Sequence, residues 1–302
     1  MKHIFVINPS AGKADATADL TNRLHSLDGR VDYAIHITSA PGDATQYVKQ
    51  LCHQEPTEEF RFYACGGDGT INEVVSGIVG STNAQITCYP CGSGNDYIKY
   101  YAKRDDFLDI DRLVSGTPHR VDLMKLGNRY SLNCCNIGFE AEVCRHMEHV
   151  KRKPIIGGNN AYTTGILAAL ATGRHNRCQI TIDGQPFHDG PLLLCSFANG
   201  QYVGGAYRCA PRSQNDDGLL DICLVSPTTI VRFAKLINIY RAGNHLDDPS
   251  CTDLMHYRRG RVVEISAAQP IHLVADGELI SADHFCIENL HQAITFVSPA
   301  ER

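Results

Sequence analysis

The sequence predicts an α/β domain with a doubly wound parallel sheet, followed by a β-rich, sandwich-like second domain. Three observations carry this expectation. Over the first hundred or so residues, short apolar runs alternate with stretches of helical periodicity, joined by brief connections, as in repeated βα units. After about residue 118 the pattern becomes short strand-like runs separated by Gly, Asn and Asp turns. The chain has 302 residues with 43% hydrophobic and 20% charged content, which fits one large unit or two domains and excludes wholesale disorder.

Residues 3–8 (HIFVIN) read as a buried strand, and Leu20, Leu24 and Leu27 then mark one face of a helix. Residues 31–37 form a second strand. Pro41-Gly42-Asp43 opens a helix in which Ala44, Tyr47, Val48 and Leu51 recur at helical spacing. A third strand, 60–65, runs into Gly66-Gly67-Asp68-Gly69-Thr70, and Ile71, Val74, Val75 and Ile78 repeat the helical pattern. A fourth strand, 85–89, ends in Pro90-Cys91-Gly92-Ser93-Gly94-Asn95-Asp96 and leads to a short helix. Beyond the change of pattern, strands are expected at 120–126, 130–137, 178–182, 191–198, 219–225, 261–267 and 271–275. Gly127-Asn128, Asp183-Gly184 and Asp276-Gly277 serve as turns, and helices are expected near 159–173 and 228–242. The expected domains are residues 1–119 and 120–286.

Charge and composition narrow the function. A net charge of −5 argues against a nucleic-acid binder that works by neutralising phosphates. Thirteen cysteines, an odd number without an export signal ahead of them, fit reduced thiols in a cytoplasmic protein. The longest apolar runs fall far short of the roughly 20 residues that span a bilayer.

The loop 66–70 lies between a strand and a helix, where backbone N–H groups and the helix dipole favour phosphate. Its glycines let backbone approach a ligand closely, although a tight turn with Thr70 as cap explains three glycines almost as well. Asp68 weighs against that bland reading, because an acid inside an anion-binding loop makes sense beside a metal or a lysine. The spacing is neither the dinucleotide fingerprint nor, at Asn8-Pro9-Ser10-Ala11-Gly12-Lys13, a P-loop.

Together, residues 8–13, Gly66-Gly67-Asp68-Gly69-Thr70-Ile71-Asn72-Glu73-Val74 and residues 90–96 resemble the diacylglycerol kinase catalytic-domain family, in its order and spacing. Asp216-Asp217-Gly218-Leu219-Leu220-Asp221 and Asp276-Gly277-Glu278 extend the likeness across nearly the whole chain. The resemblance implies an ATP-binding α/β domain, a β-rich lipid-substrate domain and the return of residues 287–302 to the first of them. ATP would be held by Asn8, Gly66, Gly67, Asp68, Gly69, Thr70, Glu73, Gly92, Ser93, Gly94 and Asn95. Lys13, Asp68, Asp96 and Glu278 would form a charged network with Mg²⁺ and waters, and Asp276 would be the general base on the lipid hydroxyl. Asp216, Asp217 and the Leu219 carbonyl match the family's structural Mg²⁺ loop. Ser93 replaces the commoner threonine, and Cys91 stands where an aliphatic residue or methionine is usual.

The chemistry agrees with that implication. Phosphoryl transfer needs charge neutralisation, in-line positioning and a proton acceptor near the nucleophile, and acids from both halves meeting in a cleft would supply them. The expected reaction is diacylglycerol plus ATP to phosphatidic acid and ADP. Another lipid such as a sphingoid base, an NAD kinase-like reaction and a non-catalytic nucleotide-binding regulator are the alternatives. The expected partner is a lipid at a membrane surface, met by peripheral contact; nucleic acid is not expected, and a homodimer stays open.

Other features read as structure. Cys88 and Cys91 have redox spacing but no second pair for zinc, and Cys144, His146 and His149 suit no metal spacing. The basic stretch 145–153 reads as a solvated helix end, with contact to anionic lipid as the alternative. The helix bearing Tyr162, Ile166, Leu167 and Leu170 reads as core, or else as lining for a lipid. Asp122 and Asn136 read as satisfied sheet-end polar groups, and Asn199-Gly200 ends a strand.

Overall fold

A computed structural model describes residues 1–12, 14–92, 94–151 and 176–301. The chain divides into two compact units, Met1–Leu123 with Leu290–Arg302, and Met124–Asn289. Among the described residues no helix is long and apolar enough to cross a membrane.

In the first unit, strands β1 (Lys2–Ile7), β2 (Tyr33–Ile37), β3 (Phe60–Gly66) and β4 (Ala84–Pro90) pair in parallel in the order β2-β1-β3-β4. Strand β3 is buried along its whole length and β1 over 3–7, as apolar runs covered on both faces must be. Helix α1 (Thr17–Leu24) buries Leu20 and Leu24, and α2 (Asp43–Gln54) buries Ala44, Val48 and Cys52. Helix α3 (Asp68–Ile78) buries the four apolar residues its periodicity singled out. A short helix α4 (Ile110–Val114) is tied down by the buried Arg61, whose guanidinium donates to the carbonyls of Leu113 (3.0 Å) and Val114 (2.7 Å).

The second unit is antiparallel. After β5 (Thr117–Leu126) and β6 (Arg129–Ser131), β7 (Cys134–Gly138) leads into helix α5 (Phe139–Lys151). Then come β8 (Asn176–Ile182), β9 (Gln185–Leu192), β10 (Leu194–Ala198), β11 (Leu220–Val225), helix α6 (Ile230–Ala242), β12 (Met255–Gly260), β13 (Val262–Ala275) and β14 (Glu278–Ser298). The sheet order is β12-β11-β10-β7-β13-β14, with β8 on β13 and β9 on β8. Residues on β10 and β11 alternate between two cores: Cys195, Phe197, Ile222 and Leu224 face one, while Leu194, Ala198, Cys223 and Val225 face the other. That two-sided burial makes the unit a sandwich.

The last part of β14 belongs to the first unit, where Phe296 pairs in parallel with Ile86. The Thr87 hydroxyl donates to the Val297 carbonyl at 2.7 Å, and Phe296 stacks on Tyr101 and meets Tyr97 edge-on, each at 5.0 Å. Tyr97 directly follows Asp96, so this returning strand braces the second glycine loop.

Several elements differ from their expected form. The apolar run 191–198 divides at Leu193, where the chain leaves the hairpin with β8 and joins β7 and β11. Expected strands 261–267 and 271–275 are one strand whose register shifts between Ser266 and Ile271, around Pro270, which cannot donate to a ladder. The run 130–137 is interrupted at Leu132 and Asn133, for a reason that lies in the site. Strands β12 and β14 escape a hydrophobicity reading because polar residues fill their exposed positions. The expected helix over 159–173 lies outside the described residues.

Candidate active site

Two glycine loops of the first unit are knitted together by backbone. The Gly66 carbonyl accepts three hydrogen bonds, each at 3.0 Å: from the amides of Cys91 and Gly92 and from Nδ2 of Asn95. Asp68, at the start of α3, returns the link. Its Oδ2 accepts the Asn95 amide and its Oδ1 the Asp96 amide, both at 2.9 Å. Asn95 holds a left-handed conformation (φ 47°) with its side chain buried, which an Asn tolerates better than most residues. Room is scarce in this weave. A Cβ on Gly92 would lie 2.5 Å from Gly67 Cα, and one on Gly94 would lie 2.7 Å from Asp68 Oδ2. Gly67 is different, since its Cβ would meet nothing nearer than 3.6 Å.

Asn8, at the end of β1, orders the neighbouring turn. Its Oδ1 accepts the Ser10 amide and its Nδ2 donates to the Thr70 hydroxyl, both at 3.0 Å. Gly67, Asp68 and Gly69 thus lead into α3, where the Thr70 and Ile71 amides both donate to the Gly67 carbonyl, beside a half-buried acid. A glycine-rich helix start of this kind can receive an anion such as a phosphate chain.

The other expected residues of this unit are placed as follows. Asp96 ion-pairs with Lys99, one turn further on. Glu73 points at α2, where its Oε1 accepts the Gly42 amide at 3.0 Å. Lys13 and Ser93 lie outside the described residues.

In the second unit, Asp276 and Gly277 form the turn between β13 and β14, with φ of 45° and 90° and Ala275 paired to Glu278. Two positive φ angles are what a type I′ hairpin requires. The Asp276 carboxylate collects three consecutive amides: Leu132 at 2.6 Å and Asn133 at 3.3 Å on Oδ2, and Asn133 at 3.2 Å and Cys134 at 3.0 Å on Oδ1. The interruption between β6 and β7 exists to point these amides at one carboxylate. Burial nevertheless raises the Asp276 pKa, because desolvation outweighs the hydrogen bonds that pull it down. Glu278 is exposed and pairs with Arg129 at 2.8 Å.

The loop expected to hold a structural Mg²⁺ is arranged otherwise. Both oxygens of Asp217 already face N–H donors: Oδ1 accepts the Leu219 amide at 3.0 Å, and Oδ2 meets the Arg259 guanidinium. Asp216 is exposed beside it. As folded, Asp217 is engaged by N–H donors on both oxygens.

Of the features set aside, Asp122 accepts the Gln292 amide at 2.7 Å, and Cys88 is a buried thiol whose pKa burial drives far up. Arg145 pairs with Glu142 at 2.8 Å, and the side chains of the basic stretch beyond it lie outside the described residues. Lys99, Arg129 and Arg259 were not singled out in the sequence. For Lys99 a signal existed in its i,i+3 spacing from Asp96; for the two arginines, cross-strand register alone reveals the partner.

The family model for the diacylglycerol kinase catalytic domain matches residues 2–126, and that for the YegS C-terminal NAD kinase β-sandwich-like domain matches residues 133–297. The chain is 26% identical to a diacylglycerol kinase of Bacillus subtilis (strain 168) over 301 residues, covering 98% of this chain and 96% of that one. A crystal structure of a diacylglycerol kinase from Bacillus anthracis str. Sterne shares the fold, with a TM-score of 0.72, 22% identity and coverage of 98% and 96% of the two chains. An NAD kinase from Archaeoglobus fulgidus in complex with ATP shares it more distantly, with a TM-score of 0.52, 14% identity and coverage of 99% and 94%.

Proposed function

We propose that this chain, which belongs to the diacylglycerol kinase catalytic-domain family, is an ATP-dependent lipid kinase that converts diacylglycerol to phosphatidic acid. The observation that carries the proposal is the pair of interlocked loops around Asp68, with Gly67 open above the start of α3. Backbone amides there bind and orient the phosphates of ATP. Asn8 and Thr70 fix the first loop, while Asn95 fixes the second to the first. Asp68 and Asp96 are the acids that would hold Mg²⁺ carried with the nucleotide. The ion would supply charge neutralisation at the phosphates.

The proton is handled in the second unit. Asp276 accepts it from the lipid hydroxyl as that oxygen bonds to the γ-phosphorus and the bond to the bridging oxygen of ADP breaks. An alkyl hydroxyl is a poor nucleophile, and burial makes this carboxylate a better base than an ordinary one. The three amides hold it aimed. The enzyme meets its substrate at a cytoplasmic membrane surface by peripheral contact.

The test is product identification. The purified chain is incubated with Mg-ATP and mixed micelles carrying diacylglycerol, a sphingoid base or no lipid, with NAD in a separate reaction, and products are read by mass spectrometry. Phosphatidic acid formed only with diacylglycerol is expected. Another phosphorylated lipid changes the substrate and keeps the mechanism. Phosphorylated NAD, or no product in any reaction, refutes the proposal.

A further inference from the structure

We infer that the second unit carries its own cation, Arg259, where the resemblance to lipid kinases places a structural Mg²⁺, and that its stability is independent of divalent metal. The acidic loop at 216–221 runs into β11. Across the ladder, Asp221 stands directly opposite Arg259 on β12. Strand periodicity places Tyr257 on the same face as Arg259; Tyr257 hydrogen-bonds the carboxylate, and Arg259 stands beside it at ion-pair distance. The Tyr257 hydroxyl donates to Asp221 Oδ1 at 2.5 Å, and Arg259 Nε lies 3.4 Å from Oδ2. The far end of the same guanidinium meets Asp217.

A divalent ion and a guanidinium answer the same need. Asp221 is fully buried, and a buried carboxylate is costly unless a positive charge or hydrogen bonds compensate it. Arginine keeps its charge at any working pH, and its planar fork can serve two acids at once. Here the fork is held by a strand whose register with β11 runs from Leu220 to Val225, so the place of the guanidinium beside Asp217 is set by the fold itself. Mg²⁺ demands near-octahedral oxygen ligands at about 2.0–2.1 Å. It would have to take Asp217 from both the Leu219 amide and Arg259, then tolerate the displaced cation beside it.

The experiment melts the full chain, cleared of metal with EDTA and free of nucleotide, while MgCl₂ is raised to millimolar levels; circular dichroism reports the midpoint. The quantity read is the part of any Mg²⁺-induced shift that Asp217→Asn removes, which separates this loop from the acids of the nucleotide site. A site filled about a hundredfold over its dissociation constant would raise the midpoint by roughly 5–10 °C. The native chain is expected to show no such component. Arg259→Gln is expected to melt lower and to recover with Mg²⁺, and adding Asp217→Asn should abolish that recovery. Arg259→Lys keeps a charge without the fork, and serves if the glutamine variant does not fold; it too should melt lower than the native chain. A native midpoint that climbs with Mg²⁺ through Asp217, with the Arg259 variants melting like the native chain, overturns the inference.

Discussion

Asp68 and Asp276 hold backbone in the same way yet serve different chemistry. Each accepts amides from a distant segment, Asn95 and Asp96 in one case and Leu132 to Cys134 in the other. Asp68 stands at a helix start among glycines, where it ties the two glycine loops together. Asp276 stands in a hairpin turn whose burial raises its proton affinity despite three donors. The surroundings of a carboxylate decide whether it becomes a fastener or a base. Asp276 is a fastener and, in the proposed reaction, also the base, because the amides that aim it do not fully compensate its desolvation.

The largest expected effect tests this division. Asp276→Asn should lower kcat by about 10²–10⁴-fold while leaving ATP affinity nearly unchanged. Asp68→Asn should act the other way round. Its Nδ2 cannot accept an amide, and an orphaned buried donor costs about 1–3 kcal/mol, enough to weaken ATP binding roughly tenfold to a hundredfold. Single-turnover kinetics, ATP titration and melting curves on both variants check the pair. If Asp276→Asn keeps near-native kcat, the assigned base is wrong. If it loses ATP affinity as strongly as Asp68→Asn, the two acids do not divide the work.

Acid should separate the units next. His3 in the first unit is buried against Tyr63 and its pKa falls to about 4, chiefly through desolvation; His245 in the second falls to about 4 for the same reason. Each stays neutral when folded and takes up a proton more readily when unfolded. Its contribution is therefore whole above the ordinary value of 6.5 and lost as pH falls toward 4, by about 2 kcal/mol at pH 5. Asp221 has the opposite sign. Desolvation raises its pKa to about 6, so protonation between 6 and 3.8 favours the folded form and offsets most of the His245 loss; Asp276, also raised, adds to the offset. Hydrogen exchange at pH 7 and about pH 5, corrected for intrinsic rates, should show the first unit loosening by about 2 kcal/mol and the second by less. His3→Gln should flatten the first unit's response. Equal loosening of both units would remove the comparison.

How much of this was readable in the chain follows from the same physics. The glycine loops were legible because a strand-to-helix junction that brings backbone to an anion needs glycine at fixed places, and the chain shows it locally. Asp276 was legible as a turn residue, but its three amides come from more than a hundred residues away, and only the family resemblance pointed to its role. Arg259 reads as one of two adjacent arginines in a polar strand until the β11 register sets it opposite Asp221. Strand β14 hides for a related reason: its pattern mixes exposed polar positions with a break at Gln292, where φ is 48°.

The smallest expected effect lies within a single loop. Gly66 and Gly67 are adjacent and identical in composition, yet a methyl group should act on them differently. On Gly66 it would overlap the Thr70 side chain, which is buried and held by Asn8, so Gly66→Ala should lower the melting midpoint before any ligand is considered. On Gly67 the methyl would find 3.6 Å to its nearest neighbour, and the backbone there (φ −101°) suits alanine. The folded chain should accept Gly67→Ala with its midpoint unchanged. Any cost must then come from ATP, whose phosphates would meet the methyl, and a weakening of about tenfold or more, about 1.4 kcal/mol, is expected. Calorimetric titration beside a melting curve separates the two terms. Unchanged ATP affinity in Gly67→Ala would move the phosphates away from this turn, and a lowered midpoint would mean that the space above Gly67 belongs to the fold and not to the nucleotide.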